Sequence, residues 1–180
     1  MNPATYVSVV LLPASTDSNA LIECSHAITV AAKCMSSLSA IAIPHLTITR
    51  FAAPAEALPE LKQEMYQFAD SITSLHSWGL RFTPDAHQNE MWVDLQFLKS
   101  PSLSELQASI AKTDFAHKYA IHNKQGDIYL PHCTLTILEG KIIPVLDISS
   151  FNLFHRDFEG LRLAVGINGD HLTLATAQFV

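Results

Sequence analysis

Apolar and polar positions follow two different periods along the first part of the chain. Residues 5–12 are apolar and β-branched and stop at a proline, which predicts a buried strand. Apolar residues spaced three and four apart predict a helix over residues 16–37 and a second helix over residues 54–75. The apolar run at 41–51 lies between these helices and predicts another strand.

Two pairs of alternating segments predict antiparallel hairpins. Residues 78–83 and 91–97 alternate apolar with polar side chains and are joined by a polar turn. Residues 161–167 and 171–180 flank Asn168-Gly169, and Asn-Gly between two alternating runs is a strong hairpin signal. We expect each pair to form neighbouring strands.

The remaining segments complete the predicted order of elements. A capping-box pattern at 102–105 predicts the start of a helix. Residues 114–127 are irregular and predict a mobile loop, whereas the apolar run at 128–138 predicts a strand. Residues 139–158 show no pattern that assigns them. Hairpins interspersed with single helices predict an α+β fold with mostly antiparallel sheets.

A six-residue pattern occurs twice, once in each half of the chain. Pro-His-x-Thr-apolar-Thr describes residues 44–49 and residues 131–136, and the two histidines are 87 positions apart. Only about 0.02 matches to its last five positions are expected by chance at this composition. Because side chains alternate between the faces of a strand, the histidine and both threonines of each copy should share one face. The repetition predicts two similar lobes that face each other.

The repeated side chains suit acid–base chemistry on a phosphate. The unperturbed pKa of histidine is about 6.5, so His45 and His132 can serve as base and acid near neutral pH. One withdraws a proton from an attacking water, and the other donates a proton to the leaving oxygen. The hydroxyls of Thr47 and Thr134 can hydrogen-bond non-bridging phosphate oxygens. These four residues predict a phosphodiester hydrolase that needs no metal and no other cofactor; either histidine can play either part.

Composition and charge narrow the class of substrate and the compartment. The 180 residues carry 11 basic and 17 acidic side chains and suffice for a single domain spanning residues 1–180. Non-specific nucleic-acid binding normally requires a basic surface. We therefore expect no extended nucleic-acid surface, and a small nucleotide or an RNA end as the ligand of a locally basic cleft. We also expect the protein to be a monomer. Three cysteines give no disulfide framework and no apolar run approaches the roughly 20 residues of a membrane span, which predicts a cytoplasmic protein.

The segments His45–Ile48 and His132–Leu135 resemble the twin His-x-Thr-apolar motifs of the 2H phosphoesterase superfamily. That superfamily includes RNA 2′,3′-cyclic phosphodiesterases, often named 2′-5′ RNA ligase-like proteins. The strand before the first helix, the motif spacing and the closing hairpin are also similar. The resemblance implies a bilobal α+β fold in which two sheets face a central groove, with helices on the outside. It also implies that the histidine and first threonine of each motif are catalytic.

A second set of residues is predicted to contact substrate. Many members of that superfamily carry a basic residue just after a motif; Arg50 fills this place after the first copy, and Ile137 leaves it empty after the second. Arg50 has the wrong strand parity, so a twist or bulge is needed to aim it at the groove. Arg81 could reach phosphate from a neighbouring strand, but we interpret it as a solvated side chain. The other candidates are Thr49, Thr136, the possible base-stacking residues Trp92 and Tyr129, and Lys118 and His122 from the loop before the second motif.

Other interpretations stay open. The same phosphate chemistry serves 2′,5′-linked oligonucleotides, since these substrates differ only in the pocket shape they require. A metal site of the two motif histidines with Asp94 leaves the matched threonines unexplained, and a groove without catalysis would only bind a nucleotide or RNA end. Cys133 faces away from the histidines by strand parity and is not expected to be a nucleophile. A third, incomplete copy at 171–174 is interpreted as structural.

Overall fold

The protein folds into two antiparallel sheets with helices on the outside, the predicted α+β class. The computed structural model describes residues 6–39, 41–85, 87–145, 147, 151–169 and 174–180. The strands are β1 (Tyr6–Leu12), β2 (Cys34–Ser37), β3 (Leu46–Ala52), β4 (Ser74–Pro84), β5 (Glu90–Phe97), β6 (His132–Glu139), β7 (Asp157–Glu159), β8 (Arg162–Asn168) and β9 (Leu174–Phe179). The helices are α1 (Ser15–Ala31), α2 (Leu58–Met65), α3 (Pro101–Ile110) and α4 (Asp114–Lys118). No helix within these described ranges is long and apolar enough to cross a bilayer.

Each sheet contains one motif strand. The first sheet has the strand order β3-β1-β8-β9, and the second has the order β2-β6-β5-β4-β7. All of these pairings are antiparallel, and the predicted hairpins β4–β5 and β8–β9 are confirmed. Part of the closing turn, and with it residues 171–173 of the third motif copy, lies outside the described residues.

Each motif strand is backed by a helix that follows a strand of the other sheet. Helix α1 follows β1 of the first sheet but packs on β6 of the second. Helix α3 follows β5 of the second sheet but packs on β3 of the first, and α2 packs on β8. Buried side chains of both sheets, including Phe51, Leu95 and Phe158, form one continuous core. The crossed helices and the shared core bring the two motif strands together.

Two helices are shorter than the sequence predicted. Helix α1 ends at Ala31, because residues 34–37 form β2 and pair with β6 instead of continuing the helix. Helix α2 ends at Met65, and Leu75 belongs to strand β4. Ile72 and Leu75 are buried, as the apolar spacing required. A short helix followed by a turn and a strand buries the same positions as one long helix, so spacing alone overestimated both lengths.

The segment before the second motif is only in part the irregular loop that was predicted, because it begins with a short helix. Helix α4 begins after Thr113, whose hydroxyl accepts a hydrogen bond from the backbone of Ala116. Residues 120–122 then bond along the free edge of β3, where His122 N donates to the carbonyl of Arg50 at 2.8 Å. Nearby, α3 is capped by Ser100 and not by the predicted Ser102. In the unassigned stretch 139–158, residues 157–158 belong to β7.

Candidate active site

The first motif strand contains a β-bulge immediately after its first threonine. Two consecutive residues of β1 lie opposite Thr47 and Thr49, which leaves Ile48 as an extra residue. An extra residue reverses the alternation of side chains beyond it. Thr47 and Arg50 therefore reach the same pocket, which provides the bulge that Arg50 was expected to need.

The second motif strand contains the same bulge. Val93 and Asp94 are consecutive in β5 and lie opposite Thr136 and Thr134, so Leu135 is the extra residue. Each extra residue follows the motif histidine by three positions. The repeated sequence thus folds into a repeated local structure.

The bulges turn the second threonine of each motif away from the groove, so the prediction that both threonines share the face of the histidine is wrong. Thr49 is fully buried, and its Oγ1 has no hydrogen-bond partner in the described part of the chain. Thr136 is also buried and donates to the carbonyl of Ser36 at 2.6 Å. Neither lines the pocket that contains the histidines.

A pocket of about 300 Å³ lies between the two sheets and brings the four predicted catalytic side chains together. Three of its lining residues are permanent cations and none is acidic, so the pocket is locally basic in a chain of net charge −6. The lining residues are His45, Thr47, Arg50, Arg81, Trp92, Asn123, Lys124, Ile128, Tyr129, Leu130, His132 and Thr134.

The two motif histidines are held in the same way. Nδ1 of His45 lies 2.8 Å from the carbonyl oxygen of Ile43, and Nδ1 of His132 lies 2.7 Å from that of Leu130. A carbonyl oxygen only accepts, so Nδ1 of each neutral ring carries the proton and Nε2 keeps its lone pair. The main chain two residues earlier therefore orients each ring and leaves Nε2 for proton transfer.

Burial keeps the first of these histidines neutral. Desolvation lowers the pKa of His45 from 6.5 to about 4, against the opposing effect of its hydrogen bond to Ile43. The positive charges of Arg50 and His132 lower this pKa further. His45 is therefore an unprotonated imidazole at neutral pH, which is the form that a general base needs.

Thr134 belongs to a hydrogen-bonded row across three strands of the second sheet. Its hydroxyl donates to Oδ1 of Asp94 at 2.8 Å, and Nη2 of Arg81 donates to Oδ2 of the same carboxylate at 2.9 Å. Arg81 lines the pocket, so its interpretation as a solvated side chain is wrong. Its position depends on the pairing of β4 with β5, and no pattern around Arg81 in the sequence indicates it.

Arg50 provides a second cation in the pocket wall. Its backbone N–H donates to Oδ1 of Asn123 at 2.7 Å, and Nδ2 of Asn123 donates to the carbonyl of Ile48 at 3.1 Å. Burial lowers the pKa of the Arg50 guanidinium, which still stays charged at neutral pH. Its Nε is buried and has no hydrogen-bond partner among the described residues. A half-buried cation whose Nε–H has no partner suits an anionic ligand.

The two predicted stacking residues have different surroundings. Trp92 is half-buried in the pocket wall. Tyr129 is only 4% exposed, and its hydroxyl donates to the carbonyl of Thr47 at 2.7 Å. Burial raises the pKa of this phenol, so it remains a donor. Tyr129 ties the segment before β6 to the first motif, and Trp92 is the better placed of the two to contact a base.

The predicted residues Lys118 and His122 do not line the pocket. The ammonium of Lys118 pairs with Glu60 at 2.8 Å on the surface, and the ring of His122 lies 4.5 Å from that of Tyr6, centroid to centroid. The same segment contributes other residues close to the second motif, of which the sequence had indicated only Lys124, as part of a basic cluster with Lys118 and His122. These are Asn123, Lys124, Ile128 and Leu130.

The alternative chemistries do not match this geometry. Within the described ranges, no group of three or more histidine, cysteine, aspartate and glutamate side chains is arranged to hold a metal ion. Both carboxylate oxygens of Asp94 accept hydrogen bonds from Thr134 and Arg81. Cys133 is fully buried, and burial raises the pKa of its thiol to about 12, so it is not an activated nucleophile.

Two crystal structures are similar to this one. TT0787 of Thermus thermophilus matches with a TM-score of 0.60 and 12% sequence identity, over 97% of this chain and 93% of that chain. The MHV ns2 PDE domain matches with a TM-score of 0.53 and 15% identity, over 97% of this chain and 98% of that chain. No protein-family model and no curated protein sequence matches. The chain therefore has the fold of TT0787 and of the MHV ns2 PDE domain.

Proposed function

We propose that this protein is a metal-independent phosphodiesterase that opens a 2′,3′-cyclic phosphate at the end of an RNA or on a nucleotide. The observation that carries the proposal is the matched presentation of two histidines. His45 and His132 occupy equivalent positions and line the same basic pocket. Nδ1 of each ring is hydrogen-bonded to a main-chain carbonyl, which leaves Nε2 for proton transfer. The phosphodiesterase name of one structural neighbour, the MHV ns2 PDE domain, supports the same class of reaction.

In this mechanism a water oxygen attacks phosphorus, and the bond between phosphorus and one ribose oxygen breaks. Nε2 of His45 takes a proton from the water, because burial keeps this imidazole neutral. Protonated His132 gives its Nε2 proton to the departing ribose oxygen, which becomes a hydroxyl. Each transfer contributes about 10²–10⁴-fold to the rate. The product is a phosphomonoester, and the two histidines exchange protonation states before the next turnover.

The remaining pocket residues fit the two ends of a nucleotide. Arg50 and Lys124 supply positive charge for the phosphate, and the free hydroxyl of Thr47 can donate to one of its oxygens. Trp92, Ile128 and Leu130 supply apolar surface for a base. A 2′,5′-linked oligonucleotide needs the same chemistry and remains the second candidate substrate.

The test is hydrolysis of 2′,3′-cyclic nucleotides and of a 2′,5′-linked dinucleotide in excess chelator. We expect turnover that survives the chelator and falls about 10²–10⁴-fold in His45→Ala and in His132→Ala. His26→Ala is the matched control, because His26 is exposed on α1 away from the pocket. Turnover that the chelator abolishes would contradict the mechanism. A ligand that binds but is never converted would favour a nucleotide-binding module without catalysis.

A further inference from the structure

Asp94 is a buried carboxylate between the two strands that carry Arg81 and Thr134. It is 2% exposed, and the strand register places Arg81 opposite Asp94 and Asp94 opposite Thr134. One carboxylate oxygen accepts from Thr134 Oγ1 at 2.8 Å, and the other accepts from Arg81 Nη2 at 2.9 Å. A buried charge is retained at such a site only when it is paired and hydrogen-bonded, as this one is.

This contact decides what the hydroxyl of Thr134 can do in the pocket. An ionised carboxylate has no proton to give, so the hydroxyl proton of Thr134 is used on Asp94. The oxygen of Thr134 then offers only lone pairs to a ligand. The hydroxyl of Thr47 differs, because it has no hydrogen bond to another described residue and is free to donate. The two threonines have equivalent sequence positions but different hydrogen-bonding states.

Arg81 supplies the charge that the second motif lacks. Arg50 stands three residues after Thr47, and the equivalent position after Thr134 is the buried, apolar Ile137. Arg81 reaches the same pocket from β4, and its Nε is buried without a partner in the described part of the chain. The pocket therefore has an arginine with an unused Nε–H in each lobe.

We propose that Asp94 is a positioning residue that fixes Arg81 as the phosphate-binding cation of the second lobe and holds Thr134 as a hydrogen-bond acceptor. Thr47 and Arg81 then bind phosphate oxygens, and Thr134 accepts from a hydrogen-bond donor of the ligand. The identity of that donor rests on the proposed function, whereas the assignment of the phosphate contacts does not.

The experiment is a titration of each variant with inorganic phosphate, followed by NMR, which needs no turnover. We expect the phosphate Kd to rise about 10- to 100-fold in Arg81→Gln, as a charge-assisted contact requires. Thr47→Val should weaken binding several-fold, and Thr134→Val should leave the Kd within about twofold. Arg162→Gln is the control for a lost arginine, because Arg162 is exposed on β8. Arg81→Lys keeps the positive charge but lacks the planar set of guanidinium N–H donors, so it should give an intermediate Kd.

Asp94→Asn tests the positioning role directly. Arg81 only donates, so the amide oxygen of Asn must face it and the amide NH₂ must face Thr134. The Thr134 proton is then released toward the pocket, and Thr134→Val should weaken phosphate binding in the Asp94→Asn background although it does not in the wild type.

Three results would overturn the proposal: wild-type protein that does not bind phosphate, equal losses for Thr47→Val and Thr134→Val, or an effect of Arg81→Gln no larger than that of Arg162→Gln. If the variants ranked as expected in phosphate Kd but the wild-type protein hydrolysed no diester, this proposal would be retained and the proposed function would be contradicted.

Discussion

The carbonyl oxygens of Ile48 and Leu135 are each bound by a side chain from the helix behind their sheet. Ile48 O accepts from Nε2 of Gln107 on α3 at 3.0 Å, and Leu135 O accepts from Oγ of Ser25 on α1 at 2.6 Å. Both carbonyls belong to the extra residues of the two bulges. A bulge leaves a backbone group outside the ladder, and each helix supplies one partner for it, beside Nδ2 of Asn123 on Ile48 O and the backbone N–H of Leu38 on Leu135 O. The matched bulges, and with them the positions of the motif threonines, therefore depend on the crossed helices.

Removing one of these side chains should destabilise the protein and disturb the site. Ser25 is fully buried and also accepts from the backbone of Leu38 at 3.0 Å. Ser25→Ala removes two hydrogen bonds and leaves these groups only the 3.2 Å bond between Leu38 N and Leu135 O, so we expect the free energy of unfolding to fall by about 1–3 kcal/mol. Urea denaturation measures the loss, and hydrolysis measured on the same samples should fall because Thr134 adjoins the bulge. Ser102→Ala is the control, since Ser102 is exposed on α3.

Gln107→Ala should act in the same way on the first motif. Gln107 is 2% exposed, and its Oε1 also accepts from Gly126 N at 3.0 Å, in the segment that lines the pocket. We expect a similar loss of unfolding free energy, about 1–3 kcal/mol. Gln63→Ala on the exposed face of α2 serves as the control. Wild-type stability in both Ser25→Ala and Gln107→Ala would show that the bulges do not need their helices.

The sequence was most informative where the signal was local or repeated. The two motifs, both hairpins and the α+β class follow from periodicity and from the repetition of six residues. The positions of the bulges could not be predicted, because the strand pattern alternates by default and the side chains that bind the carbonyls of the extra residues, Ser25 and Gln107 among them, are distant in sequence. Arg81 was misassigned for a related reason. Its partner Asp94 is on the next strand, and only the hairpin register brings the two together.

The pH dependence of the reaction should show the low pKa of His45. A base must be unprotonated, so kcat/KM should stay high on lowering the pH and fall only near the pKa of about 4 of the free enzyme. In the enzyme–substrate complex, the bound phosphate anion favours the protonated form of His45 and raises its pKa. The acid limb of the kcat profile should therefore lie at higher pH than the acid limb of kcat/KM. At higher pH the rate should fall because the reaction also needs a protonated general acid. A pH–rate profile of both parameters checks this, and an acid limb of kcat/KM above pH 6 would contradict His45 as the general base.

The lowered pKa of His45 also makes the stability of the fold depend on pH. Its pKa is lower in the folded protein than in the unfolded chain, so the unfolded chain binds more protons between about pH 4 and pH 6.5. The free energy of unfolding should therefore fall as the pH falls through that window. His45→Gln removes the titrating group, and urea midpoints at several pH values should show a smaller slope for this variant than for His26→Ala.

Substitutions of Trp92 and Tyr129 should have different effects, because Trp92 is expected to contact the ligand and Tyr129 to stabilise the fold. Tyr129→Phe removes the donor to the Thr47 carbonyl, so we expect a loss of about 1–3 kcal/mol of unfolding free energy with little change in KM. Trp92→Ala should instead raise KM about 5- to 100-fold, since stacking on a base contributes about 1–3 kcal/mol. A ribose 2′,3′-cyclic phosphate without a base is the matched control, because it has no ring for Trp92 to contact. If Trp92→Ala raised KM equally for that substrate, the tryptophan would be shaping the pocket and not stacking on a base.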